Sequence, residues 1–218
     1  KHVLQYVFTK KGLMATSSHE VAGFIRSRSG LDRADAQIVY APISLEQGDD
    51  AKFAFDKWHG LQIHGFQLRP ESQGTVMIRS ADPTEQPEIR TNYLTAEEDR
   101  RVAVDTVRYI RDLVRTSPLR DFIEAEDVPG PEAQSDEELL QVIKRTGSSV
   151  FHAAGTCKMG AEDDPAGVLD PRLRVRGVSG LRVVDASVMP TLVSGNSNAA
   201  TMAIGWRASD LILEDAAS

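Results

Sequence analysis

The chain has 218 residues, 41% hydrophobic and 26% charged, the balance of a globular protein with mass enough to bury a sizeable core. Lys and Arg number 25 against 32 Asp and Glu, a formal net charge of -7, and no basic stripe offers to neutralise phosphates, so a nucleic-acid partner is excluded. No apolar run approaches the roughly 18 residues of a membrane span, so no transmembrane segment is expected. The sequence also opens without a charged-then-apolar leader. The single cysteine, Cys157, rules out an internal disulfide and a cysteine-built zinc site. The first residue is Lys1 rather than Met, which raises the expectation that the chain is a piece of something longer.

From residue 1 to about residue 70 the pattern is irregular and β-leaning. Residues 36–43 (AQIVYAPI) are β-rich, and residues 51–55 (AKFAF) alternate. Residues 61–68 (LQIHGFQL) and 75–79 (TVMIR), joined through Pro70 and Gly74, read as an antiparallel pair. Asp82-Pro83 and Gln86-Pro87 mark loops, and residues 88–93 read as a further strand. The expectation is a mostly antiparallel sheet.

Helices follow. Thr95-Ala96-Glu97-Glu98 has the form of a capping box, and Ala103, Val107, Ile110 and Val114 then recur at helical spacing until Ser117-Pro118. A second box, Ser135-Asp136-Glu137-Glu138, opens a helix over residues 139–145, with Gly147 placed for a left-handed cap. Between the two, residues 127–135 with Pro129-Gly130-Pro131 form a surface loop. Residues 181–184 (LRVV) suggest a short strand, and a last helix is expected from about Asn198 to Leu213.

Chemistry concentrates after residue 150. The run FHAAGTCKMG over residues 151–160 is followed by VLDPRLRV over residues 168–175 and by GLRVVDAS over residues 180–187. Met189-Pro190-Thr191 and SGNSNAATM over residues 194–202 close the region. Taken as bare chemistry, these are Gly, Asn, Ser and Thr with one His and two Asp between a strand and a helix. Such a passage suits a ligand held against a helix N-terminus, where free N–H groups and the dipole favour negative charge.

These segments resemble the C-terminal portion of the glucose–methanol–choline (GMC) family of flavin-dependent oxidoreductases, and are similar to its choline-dehydrogenase-like bacterial branch. Weaker elements of the same resemblance are Lys11-Gly12-Leu13, residues 68–72 (LRPES) with Gly74, and Ser80 to Pro83 with Pro87, Asn92 and Tyr93. The resemblance implies an α+β fold: residues 1–150 as a substrate-binding domain of antiparallel sheet and flanking helices, and residues 151–218 as a segment carrying active-site motifs to the FAD site. The family's G-x-G-x-x-G fingerprint for the FAD pyrophosphate does not occur in these 218 residues. The chain is therefore expected to be a C-terminal fragment, to hold FAD weakly alone, and to dock on an N-terminal FAD-binding domain of the same parent. An exposed docking face would also favour self-association. The parent is expected in the cytoplasm, at most peripheral to a membrane.

By the same resemblance His152 is the active-site base that takes the hydroxyl proton as hydride leaves the substrate carbon, a task for a group with pKa near working pH. The plainer alternative is a buried histidine bonded to a backbone carbonyl. Asn196 pairs with it across the substrate oxygen, its amide donating while staying neutral; alternatively it is a left-handed residue at a helix cap. The backbone at Asp185 and Ala186, and the amides of Ser197 and Asn198, are expected against the flavin; Asp185 as a turn cap is the alternative. Phe151 lines or gates the substrate entry, or belongs to the core. Cys157 reads as a packed thiol rather than a nucleophile, and His64, on an alternating strand, as structural. Relatives often carry Thr and Pro where this chain has Ser197 and Ala200; the hydroxyl survives the first change. The implied reaction is oxidation of a primary alcohol, choline-like or other, to the aldehyde. The competing reading is a free-standing binding or scaffold module that kept the fold and lost the chemistry. A metal-dependent hydrolase is disfavoured by the absence of H-x-x-H or H-x-x-x-H spacing.

Overall fold

A computed structural model describes residues 2–15, 17, 19–47 and 53–217, and divides them into two compact units. The first comprises Lys1–Gln67 and Val102–Gln134 and the second Leu68–Arg101 and Ser135–Ser218. The architecture is mixed α and β, with small antiparallel sheets and helices.

In the first unit, β1 (Val21–Ile25), β2 (Ala36–Ala41) and β5 (Gln62–Gln67) form a three-stranded sheet in the order β1-β2-β5, antiparallel throughout. Ile38 stands opposite Gly23 on one side and Gly65 on the other. A separate ribbon pairs β3 (Leu45–Gln47) with β4 (Phe53–Phe55), so the expected strand at residues 51–55 exists in its last three residues; Ala51 and Lys52 lie outside the described residues. Helix α1 (His2–Thr9) has no buried residue.

Helix α2 (Glu97–Val114) enters this unit from Val102 onward. Val102 packs with Ile25, Ala36 and Ile38. Gly65 is required by close approach: a Cβ there would stand 2.3 Å from the Thr106 methyl. The apolar stripe expected from the periodicity (Ala103, Val107, Ile110, Val114) is only half-buried, whereas Val102 and Thr106, one turn apart, lie deepest. Thr106 tolerates that place because its hydroxyl donates to the Val102 carbonyl. Arg111, also buried, makes a bidentate pair with Glu126 and donates to the carbonyls of Gly130 and Ala133. The expected surface loop is thereby held to the helix by a charge whose donors are satisfied.

In the second unit, β6 (Thr75–Met77) pairs with β7 (Glu88–Arg90). The expected pairing of residues 61–68 with 75–79 is not found: β5 pairs with β2, and β6 with β7. The turn through Pro70 is tied to α2 by the buried Asp99 carboxylate, which accepts from the N–H groups of Glu71 and Ser72 at 2.9 and 2.8 Å. Helix α3 (Asp136–Thr146) opens on the expected box, with the Ser135 hydroxyl accepting from Glu138 N–H and the Glu138 carboxylate accepting from Ser135 N–H. Gly147 departs from expectation: it is extended, at φ -69°, and its N–H donates to the Ile143 carbonyl at 2.7 Å.

Residues 181–184 also differ from the strand expected of them. They make one bridge, Arg174 to Arg182, and two backbone hydrogen bonds with residues 173–175 before Asp185 caps a 3-10 turn at Ala186–Val188. The turn begins too soon for a ladder to grow. Helix α4 (Asn198–Ala216) closes the chain, and its Ala208 joins Leu169, Leu173 and Val188 in the core of the unit. No described helix is long and apolar enough to cross a membrane.

Candidate active site

The site is assembled at two loops of the second unit. His152 lies just before Gly155, whose φ of +85° turns the chain in a conformation that side chains other than glycine rarely adopt. Beyond the turn, Cys157 N–H donates to the Ser187 carbonyl at 3.0 Å and Met159 N–H to the Val188 carbonyl at 2.9 Å. Val188, fully buried, packs on Leu169 and Ala208, so the 3-10 turn and α4 are fixed to the same core as the histidine segment.

Across this shelf the two residues singled out by sequence meet. Asn196 Nδ2 stands 2.9 Å from His152 Nε2, although 44 positions separate them. The other ring nitrogen, Nδ1, is 2.9 Å from the Ser197 hydroxyl. His152 is half-buried and Ser197 buried at 9% exposure, while Asn196 is open to solvent. An imidazole held at both nitrogens has a fixed ring plane, and its exposed partner marks the side from which a small molecule reaches it.

The remaining expected residues are engaged elsewhere. The Asp185 carboxylate accepts from the Ser187 N–H and hydroxyl, at 2.7 and 2.5 Å, as a turn cap does. Asn198 begins α4 and its amide lies 3.7 Å from the Met202 sulfur; the cap position is Ser197, and Asn196 is not left-handed. Ala186 is half-buried in the 3-10 turn. Phe151 adopts φ +60° with 90% of its surface exposed in this chain. Cys157 is a free thiol packed against the Leu169 core. His64, on β5, stacks edge-on with His19 at 5.8 Å.

Three contacts were not visible in the sequence. One is the His152–Ser197 bond itself. Another is Arg69 Nη1 donating to the Ser194 hydroxyl at 2.8 Å, across 125 positions, which fastens the loop two residues before Asn196. The third is Asp215, on which Arg172, Arg174 and Arg182 converge. Arg174 and Arg172, then Arg182, hold its carboxyl well below the usual carboxylate range. This knot fastens the last turn of α4 to the loop that carries Leu173. Among the described residues no group of three or more His, Cys, Asp or Glu side chains is arranged for a metal.

The chain is 43% identical over 209 residues to an oxygen-dependent choline dehydrogenase of Vibrio vulnificus, covering 96% of this chain and 37% of that one. It is 40% identical over 209 residues to the enzyme of the same name from Brucella anthropi, covering 96% and 38%. Among solved structures, pyridoxine 4-oxidase from Mesorbium loti superposes with a TM-score of 0.78 at 25% identity, over 88% of this chain and 37% of that one. The chain thus spans well under half the length of the relatives it matches. The sequence model of the GMC oxidoreductases, a family of FAD flavoproteins, matches residues 70–205, and the chain belongs to that family.

Proposed function

We propose that this chain is the substrate-facing part of an FAD-dependent alcohol oxidoreductase. In this reading residues 1–150 serve substrate binding and residues 151–218 serve the flavin site. The substrate is a primary alcohol of choline-like class, oxidised to the aldehyde. One observation carries the proposal: the His152 imidazole sits between the Asn196 amide and the Ser197 hydroxyl on an open face.

The flavin fits the donor set at the start of α4. Ser197 makes no side-chain cap there, so the first N–H groups of a 19-residue helix keep their partial positive charge without a side-chain acceptor. The Ser197 and Asn198 amides and the backbone at Asp185 and Ala186 would hold the cofactor. When bound, FAD supplies the hydride acceptor at N5. The residues of this chain do the proton work. The alcohol enters where Asn196 now meets His152, presenting its O–H to Nε2 and its oxygen to the amide. His152 takes the hydroxyl proton as hydride departs, which avoids a protonated carbonyl, and Asn196 steadies the charge developing on oxygen. Phe151, exposed beside the histidine, stands where an entering substrate passes.

Helix α4 presents Met202, Trp206 and Leu213 at 68%, 79% and 66% exposure. This apolar face is the surface we assign to the flavin-binding part of the parent protein. The test is anaerobic stopped-flow reduction of the full-length flavoprotein by its alcohol. His152→Ala is expected to slow flavin reduction by about 10²–10⁴-fold with flavin content nearly unchanged; wild-type rates in that variant would sink the proposal.

A further inference from the structure

We infer that Ser197 is a positioning residue that holds His152 in the tautomer its contact with Asn196 selects, an inference that deepens the reading of His152 as the base. An asparagine Nδ2 is a donor only, so the 2.9 Å contact with Nε2 requires that ring nitrogen to be the acceptor. In a neutral imidazole the proton then lies on Nδ1, and Nδ1–H donates to the Ser197 oxygen, also 2.9 Å away. The lone pair at Nε2 is thus turned toward the exposed side, where an alcohol must deliver its proton.

Ser197 is placed for this task by what its hydroxyl does not do. A serine at a helix N-cap ordinarily accepts from the backbone one turn ahead, yet here the side chain makes no cap bond and its φ and ψ of -79° and -11° are already helical. Its carbonyl accepts from Thr201, through both N–H and hydroxyl, which locks the residue onto the first turn of α4. The hydroxyl, 9% exposed with its residue, is left for the imidazole. Alanine at this position removes only that oxygen and keeps the helix; threonine keeps the oxygen.

The test uses the full-length flavoprotein labelled with 15N-histidine, with the two ring nitrogens of His152 distinguished by long-range proton–nitrogen NMR. Neutral His152 is expected to show a protonated Nδ1 and a bare Nε2 in the wild type and in Ser197→Thr. In Ser197→Ala the Nδ1 proton is expected to lose its acceptor, seen as an upfield shift and faster solvent exchange, and flavin reduction to slow by about tenfold, the loss of one hydrogen bond. A protonated Nε2 in the wild type would overturn the inference without any variant, and so would an Nδ1 proton unchanged in shift and exchange in Ser197→Ala. Neither result depends on turnover. Failure of the catalytic reading is seen separately, in His152→Ala reducing flavin at the wild-type rate.

Discussion

Replacing Leu169 with Ala tests whether the shelf beneath the site is a packed core or an incidental contact. Leu169 is fully buried and touches Leu173, Val188 and Ala208, joining the histidine segment, the 3-10 turn and α4. Its backbone is tied on both sides, by Leu169 N–H to the Lys158 carbonyl at 3.3 Å and by Gly160 N–H to the Leu169 carbonyl at 3.2 Å. The segment therefore cannot sink into the void that truncation leaves. Leu→Ala losses run from about 2 to 5 kcal/mol and grow with residual cavity volume; a pinned, fully buried site belongs in the upper half, about 4 kcal/mol. For a chain of this size that is roughly 8–16 °C in Tm. Urea denaturation, followed by Trp206 fluorescence in a Trp58→Phe background, reads the change on α4 itself. A loss below about 1 kcal/mol would refute the reasoning, because it would mean that the cluster relaxes freely or carries no load.

Three further outcomes are expected. Asn196→Ala should cost about 1.5–3 kcal/mol in flavin reduction by the full-length protein, less than His152→Ala, because it deletes a donor to oxygen rather than the proton acceptor; an equal or greater loss would reverse the assigned roles. Asp215→Asn should destabilise the chain at neutral pH. The Asp215 carboxyl is depressed when folded, so its contribution is present above the unfolded value of about 3.9 and fades as pH falls below it. The stability gap between wild type and variant should narrow in acid, and a gap independent of pH would contradict the arginine knot. The 218-residue chain alone should bind FAD no more tightly than about micromolar, since the pyrophosphate-binding glycine fingerprint is not among its residues; stoichiometric yellow protein would contradict this.

Part of this fold is legible from the residues alone, and the reasons differ from element to element. Ser135 and Glu138 form their box as read, because a capping box is a local bond needing no distant partner. Helix α4 was legible to within three residues at its end. The pairing of β5 was not, because residues 61–68 and 75–79 carry the same alternation whichever neighbour they take. Helix α1 reads as irregular because HVLQYVFT is rich in β-branched and aromatic side chains and buries none of them. In the candidate site, the identities of His152 and Asn196 were legible from the family motif. The Ser197 bond was not, since a serine before a helix ordinarily announces a cap.

The two hydrogen bonds from Cys157 and Met159 to Ser187 and Val188 put the histidine and the asparagine on short leashes. Cys157 follows His152 by five residues, and Val188 precedes Asn196 by eight. The entropy of bringing together residues 44 apart is therefore settled by the fold before any ligand arrives, and only these two short tethers remain to be ordered. The excursion between the tethers is held as well: Arg176 donates to the carbonyls of Gly160, Ala161, Glu162 and Asp164, and Lys158 pairs with Asp164 at 3.2 Å. Doubling a flexible loop adds only about 0.6 kcal/mol to its closure, so it is the loss of these bonds, not chain entropy, that would make a change of length at residues 161–166 costly.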